Sequence, residues 1–379
     1  MRLKGEWLVG VSLAIAACAD TPAPARDAQP STADAATLDA AMDASTPTVN
    51  IAFVTSTAHN GNLGGLAGAD EICAARAAAA GLPGTYMAWL SSFDVDVIDR
   101  ISVIPRGWVR PDGKLVADEL SDFATNRLVH PMRIDELGND VGALRVWTGS
   151  SNGRHPGNNS NPPCDNWTTT TGSGGEVGRS DATAAFSSVG SSSCDSERRL
   201  YCLGQDVDAL QVPPTNEGRL AFLSSTVYAV STGGVAVADA VCQSDADAAS
   251  LPGTFLAMVA TTGSSAADRF DSGAPWIRPD GVLLADTDDA LFTAALWHAP
   301  INVHADKSYF LANSHVAGGA NTPTEAGTDM NNCGDWKSPS GQGLIGRVLY
   351  SSVLEAFGDG PFTSSACDSA NLRLYCLEN

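Results

Sequence analysis

Apolar positions along this chain fall into short clusters parted by glycine, proline and Asx residues, and the series of clusters comes twice. Residues 51–55 (IAFVT) and 219–224 (RLAFLS) are aliphatic and aromatic runs of strand length. An alanine-rich stretch follows each. Residues 68–80, with Asp70 and Glu71 near the start and Gly81 at the stop, predict a helix, and residues 237–249 predict its counterpart. After a Pro-Gly turn, residues 86–91 (YMAWLS) and 255–260 (FLAMVA) return to strand character. Residues 108–109 and 115–116 predict strands flanking the turn Arg110-Pro111-Asp112-Gly113, which recurs at residues 278–281. Residues 145–147 (RVW) and 309–311 (YFL) predict further strands. Residues 149–165 and 312–335 then show no regular period, and loops this long inside a compact domain are often functional. A short strand carrying a cysteine closes each copy.

The words between the clusters repeat as well. AGLPGTY at 80–86 returns as ASLPGTF at 249–255, CDNW at 164–167 as CGDW at 333–336, and RLYCL at 199–203 as RLYCL at 373–377. Cys73, Cys164, Cys194 and Cys202 are matched by Cys242, Cys333, Cys367 and Cys376, offset by 169, 169, 173 and 174 residues. A repeat of this length makes two domains rather than a solenoid. Paired cysteines in this number belong outside the reducing cytosol. Four cysteines per copy allow three pairings. A Cys73–Cys202 bridge would tie the ends of the first module together, and Cys164–Cys194 would staple the base of its long loop. The same nesting predicts Cys242–Cys376 and Cys333–Cys367.

Cys18 has no partner in the repeat. Arg2 and Lys4 precede an eleven-residue apolar run at 7–17, too short to span a bilayer and of signal-peptide length. Ile15-Ala16-Ala17-Cys18 resembles a bacterial lipobox, which implies lipidation of Cys18 and a membrane-anchored product. Ala19 after the cysteine fits outer-membrane sorting in a Gram-negative envelope. Residues 19–49 hold almost no large apolar side chains and predict a disordered tether. The expected organisation is leader 1–18, tether 19–49, module 50–204, linker 205–217 and module 218–379.

A net charge of −21 argues against nucleic acid and heparin-like polyanions as partners. No nucleophile elbow, phosphate-cradling loop or His-Glu-x-x-His is present. The glycine-rich stretch at 61–68 reads as a structural turn. His130 and His298 recur and read as packed or hydrogen-bonded histidines. Trp108, Trp167, Trp276 and Trp336 read as core, and the Arg110/Asp112 and Arg278/Asp280 pairs as turn-fixing contacts.

Residues 64–92, 146–167 and 194–203 resemble successive segments of endostatin, the C-terminal module of certain vertebrate collagens. The shared Leu-Pro-Gly-Thr, Trp-x-Arg-Pro-Asp-Gly and Cys-Asp-Asn-Trp words are similar to those of bacterial lipoprotein domains of unknown function. The resemblance implies an α+β class: two tandem C-type-lectin-like, endostatin-like domains, each with nested disulfides. Endostatin's heparin binding does not carry over, because Arg106, Arg110, Arg127 and Arg133 are scattered amid acidic excess. Its zinc does not carry over either, since the lead-in has His59 alone. Asn161-Pro162-Pro163 followed by Cys164-Asp165-Asn166-Trp167 departs from the order of a calcium–sugar site.

The candidate binding residues are the oxygen-rich ones of the long loops. They are Asn158, Asn159, Asn161, Asp165 and Asn166 in the first copy, and Asp329, Asn331, Asn332 and Asp335 beside Thr328 in the second. Such a density suits a hard cation such as calcium, hydrogen bonds to sugar hydroxyls, or a polar loop held by its own Asx turns. No catalytic residue and no resident cofactor are expected. The expected function is binding of a glycan, matrix or extracellular protein ligand, with the membrane reached only through the lipid. A secreted hydrolase and a structural spacer are the alternatives.

Overall fold

A computed structural model describes residues 46–101, 105–156, 161–231, 233–312, 314–358, 364–368 and 372–379. Cys18, the leader and most of the tether lie outside the described residues. Residues Ser45–Asn379 form one compact unit, a mixed α+β structure carrying four disulfides.

In the first half, β1 (Asn50–Val54) is central. It pairs in parallel with β3 (Trp108–Val109) and antiparallel with β8 (Arg199–Gly204), and β3 continues to β4 (Leu115–Ala117). Strand β8 also carries β2 (Tyr86–Ala88) antiparallel and β5 (Arg145–Trp147) parallel. β5 leads to β6 (Gly175–Arg179) and β7 (Ser191–Ser192). The second half repeats this plan with β9 (Arg219–Leu223), β10 (Phe255–Ala257), β11 (Trp276–Ile277), β12 (His315–Ala317) and β13 (Gln342–Arg347), followed by β14 (Ser364–Ala366). Its closing strand is interrupted at Leu374 into β15 (Leu372–Arg373) and β16 (Tyr375–Glu378). One sheet therefore becomes two four-stranded sheets.

Alanine content explains how the helices sit. In the helix Gly65–Ala79 the buried positions are Ala69, Cys73 and Ala77, one per turn. In Val235–Ala248, Ala238, Cys242 and Ala246 occupy the same stripe. Small side chains at i, i+4 and i+8 let the helix approach its sheet closely. That brings Cys73 to Cys202 and Cys242 to Cys376, with Cα separations of 5.4 and 5.2 Å. Cys164–Cys194 and Cys333–Cys367 complete the nested arrangement expected from the sequence.

Two sequence expectations need correction. The first helix begins at Gly65 rather than residue 68, because Gly64 and Gly65 take left-handed φ values of 80° and 76° that turn the chain into it. Residues 309–311 are not a strand. Tyr309 makes only an isolated bridge to Val303, and its hydroxyl receives a bond from Arg278 and donates one to Asp280 (2.9 and 2.8 Å). The strand equivalent to β5 is β12, which lies inside the stretch read as irregular loop.

Each half has buried clusters of its own, and one cluster spans both. Val109, Leu115 and Val129 of the first join Leu223, Trp276, Trp297 and Tyr375 of the second in a single buried cluster. Arg133 donates to the Trp297 carbonyl and, at 2.9 Å, to Ser351 Oγ. Arg179 pairs with Glu355 at 2.7 Å, and the Ser351 N–H reaches the Asp181 carbonyl at 2.9 Å. The connection at 205–217 is pinned as well. Asn50 accepts from the N–H groups of Asp206 and Val207, Asp118 accepts from Gln211, and Asn216 donates to the Gly281 carbonyl.

Candidate functional site

The Cys-x-x-Trp words adopt an unusual conformation. Cys164, Asp165, Asn166 and Trp167 have φ values of 45°, 51°, 55° and 67°, and Cys333, Gly334, Asp335 and Trp336 have 56°, 60°, 55° and 61°. Each is one turn of left-handed helix, closed in the first copy by Trp167 N–H to Pro163 O and Thr168 N–H to Cys164 O, both 3.0 Å. The left-handed conformation costs roughly 1–2 kcal/mol per L-residue. Anchors at both ends offset that cost. The cysteine is tied by its disulfide, and the fully buried tryptophan donates its indole N–H to Ser91 O (2.8 Å) or Ala260 O (2.9 Å).

This turn decides where the candidate loop residues point. Asn166 Oδ1 accepts from the Phe93 N–H at 2.9 Å, and Asp335 Oδ1 accepts from the Thr262 N–H at 2.7 Å. The two side chains thus hold the loop after β2 and β10 in the same way. The Thr262 N–H, despite the opposing effect of burial and with help from the Thr262 hydroxyl and Lys337, keeps the Asp335 carboxyl below the ordinary aspartate range. In the second copy Asn332 is wholly buried. Its Oδ1 accepts from the Asp335 N–H at 2.9 Å, and its Nδ2 donates to Thr262 Oγ1 and Asp335 Oδ1 at 3.1 and 3.2 Å. Asp329 accepts from Thr262 Oγ1 at 3.1 Å, and Asn331 uses its carbonyl to receive the Leu344 N–H at 2.7 Å. These groups are spent on one another, on Thr262 of the loop after β10 and on Leu344 of β13. Among the described residues no group of three or more His, Cys, Asp or Glu side chains is placed to hold a metal ion.

The first copy differs. Asn158 and Asn159 lie outside the described residues, and Asp165 is exposed. Asn161 lines a cavity of about 690 Å³ together with Ser151, His155, Ser173, Glu176, Ser188 and Ser191. Backbone is presented at Gly149, Gly174, Gly175 and Gly190. Glu176 Oε1 is fixed by the Ser188 hydroxyl (2.6 Å) and the Gly190 N–H (3.1 Å). The His155 ring stands edge-on to Phe93, centroids 5.3 Å apart, and Phe93 is 41% exposed at this edge. The Asp96 carboxylate braces the loop by accepting from the His155 N–H and from Arg154, at 2.7 and 2.8 Å.

Sequence reasoning passed over Glu176, His155 and the serines. The available signal was a lone carboxylate inside the glycine run GSGGEVG, on a strand too glycine-rich to register as one. Arg179 and Val177 pair with β5 as Arg347 and Ile345 pair with β12, so Leu344 of the second copy holds the position of Glu176. The carboxylate-bearing cavity wall belongs to the first copy.

The recurrent Arg-Asp pairs are turn locks. Arg110 and Arg278 are 1% and 0% exposed, and each guanidinium grips its aspartate with two bonds of 2.6–3.0 Å. Burial pushes the Asp112 carboxyl up, but the hydrogen bonds and charge of Arg110, with Lys114 beside it, outweigh burial and bring it down to about 2. A carboxyl depressed in the folded state stabilises above its ordinary pKa, near 4, and that contribution is lost as pH falls through the folded value. Urea midpoints recorded from pH 5 down to about pH 2 are therefore expected to fall less steeply for Asp112→Asn than for the wild type. Parallel curves would remove Asp112 from the acid response.

His130, His298 and His304 serve the framework. His130 Nδ1 lies 2.6 Å from the Leu115 carbonyl, His298 pairs with Asp286 at 2.9 Å, and His304 Nδ1 lies 2.8 Å from Leu223 O. Fold and site together define a disulfide-stapled α+β protein with a polar cavity on its first half. No protein-family model matches the chain, and no curated protein matches it significantly.

Proposed function

We propose that this protein is a lipid-anchored binding protein of the cell envelope whose first lectin-like module takes up a glycan, free or borne by a matrix or surface protein. The cavity around Glu176 and Asn161 carries this reading. Vicinal sugar hydroxyls each donate and accept. A wall of serine hydroxyls, an Asn amide, a fixed carboxylate and glycine backbone offers both partners at short range, while the exposed Phe93 ring packed on His155 adds an apolar surface beside the cavity for sugar C–H groups. The nested disulfides and the helix-on-sheet plan support the C-type-lectin-like fold that the sequence resembles. Four disulfides fit an oxidising compartment. No helix among the described residues is long and apolar enough to cross a membrane, and the lipobox at Cys18 supports attachment by lipid, with Ala19 favouring the outer membrane.

A binding role is favoured over hydrolysis because the described lining holds one carboxylate, Glu176, whereas glycoside hydrolysis commonly uses two flanking the scissile bond. The test is a glycan and matrix-protein array probed with the oxidised full-length chain, with calcium and with chelator. Glycan binding that survives chelation and weakens by about tenfold or more in Glu176→Gln is the expected result, a charge-assisted hydrogen bond being worth roughly 1.5–3 kcal/mol. Binding abolished by chelator would instead favour a cation bridge at exposed Asp165. Binding to proteins alone, untouched by Glu176→Gln, would overturn the cavity reading.

A further inference from the structure

A second cavity, of about 350 Å³, lies between the two halves. Asn126, Asn152 and Ala185 line it from the first half, and Leu311, Arg347 and Tyr350 from the second. Ser151 and Ser188 line both cavities, so the two are neighbours sharing a wall of two serines. One of these, Ser188, is the residue that fixes Glu176.

The second cavity has its own unmet polar demand. Asn126 donates its amide N–H to Asn152 Oδ1 at 2.6 Å, but Asn126 Oδ1 is buried with no hydrogen-bond partner among the described residues. Buried acceptors are rarely left so in native proteins, and a turn of this amide toward the cavity would present the oxygen to a ligand hydroxyl. Tyr350 also lines this cavity, 6% exposed, with the Arg179 and Arg347 guanidinium groups 5.2 and 5.9 Å from its ring centroid. Leu311, with Ala184, Ala185 and Val189, supplies apolar wall for the C–H faces of a sugar. The distance between the two cavities is set by the shared core and by the bonds from Arg133 and Arg179 across the boundary.

We propose that the two cavities form one groove and that the ligand is a linear oligosaccharide lying from Glu176 across Ser151 and Ser188 to Asn126 and Tyr350, not a single sugar. This rests on the glycan reading of the first cavity and extends it to the boundary with the second half. A chain bound in a groove of fixed spacing gains contact with each unit until both cavities are filled, and then stops gaining.

The experiment is calorimetric titration of the oxidised full-length chain with size-graded chito-, cello- and galacturonate oligosaccharides. In the series that binds, affinity is expected to rise by about tenfold or more from disaccharide to tetrasaccharide and then level off. Ala185→Trp, which fills the second cavity, is expected to abolish that gain while leaving disaccharide affinity unchanged. Asn126→Ala, a milder change, is expected to remove part of it, with unchanged melting temperature as the folding control. Affinity that does not depend on length overturns the groove and leaves the first-cavity reading standing. A length gain that survives both variants overturns its placement. No binding by any series overturns both readings.

Discussion

Replacing Cys73 and Cys202 together by alanine is expected to lower the unfolding free energy by about 4–5 kcal/mol. The bridge closes a loop of 129 residues, and the entropy it removes from the unfolded chain grows with the logarithm of that length. Both sulfurs are buried where the Ala69–Cys73–Ala77 stripe meets β8, so the substitution also loosens the helix on its sheet. The inner bridge, Cys164–Cys194, closes only 30 residues and is expected to cost about 3–4 kcal/mol, with the two costs not additive because one loop lies within the other. Urea unfolding of the two double variants checks the order. An inner bridge worth more than the outer would show that native-state packing, not chain entropy, sets the scale.

Trp167→Ala is expected to cost about 3–5 kcal/mol and to abolish ligand uptake by the first cavity. Trp167 is wholly buried, edge-on to Trp147 with centroids 5.4 Å apart, and its indole N–H holds the Ser91 carbonyl. The far edge of its ring is so close to Gly175 that a side chain there would overlap it, and Gly174, Gly175 and Glu176 are cavity wall. Removing the ring therefore frees both the left-handed turn and the strand that carries Glu176. Trp167→Phe keeps much of the packing but drops the N–H, so it is expected to recover most of the stability with about 1–3 kcal/mol still missing for the unpaired carbonyl. Urea unfolding, near-ultraviolet circular dichroism and glycan titration read the three effects. A Trp167→Ala protein of nearly wild-type stability would remove the turn from its place as the support of the site.

The sequence was most legible where a local rule and the repeat agreed. Cysteine spacing foretold the nesting because only that arrangement ties both ends of a copy, and Arg-Pro-Asp-Gly foretold its hairpin because proline and glycine set the turn by their own backbone limits. The illegible parts have physical causes. Strands β6 and β13 drew no strand expectation because they contain Gly178 and Gly346, where a Cβ would collide with the Phe186 and Ala356 carbonyls. Tertiary closeness demanded glycine there at the expense of strand propensity. The run at 309–311 looked like a strand because aromatic residues resemble one, but Tyr309 spends its hydroxyl on the Arg278–Asp280 lock. At the site, Asp335 and Asn332 were visible as oxygen donors, yet sequence cannot tell a donor facing outward from one serving its own loop. Asn161 lines the cavity, but its companions Glu176, His155 and Ser188 come from separate segments that only the fold assembles.

The shared core has a consequence for how such a molecule would hold on to its target. Two binding modules joined by a slack linker can each search for a site, and their combined grip then depends on linker length. Here the connection at 205–217 is pinned along its path and the halves are packed together, so neither can swing without the other. The body meets a surface as a single stamp with one fixed footprint. On the lipid-anchored reading proposed above, strong attachment through many weak contacts would then have to come from the density of copies sharing a membrane.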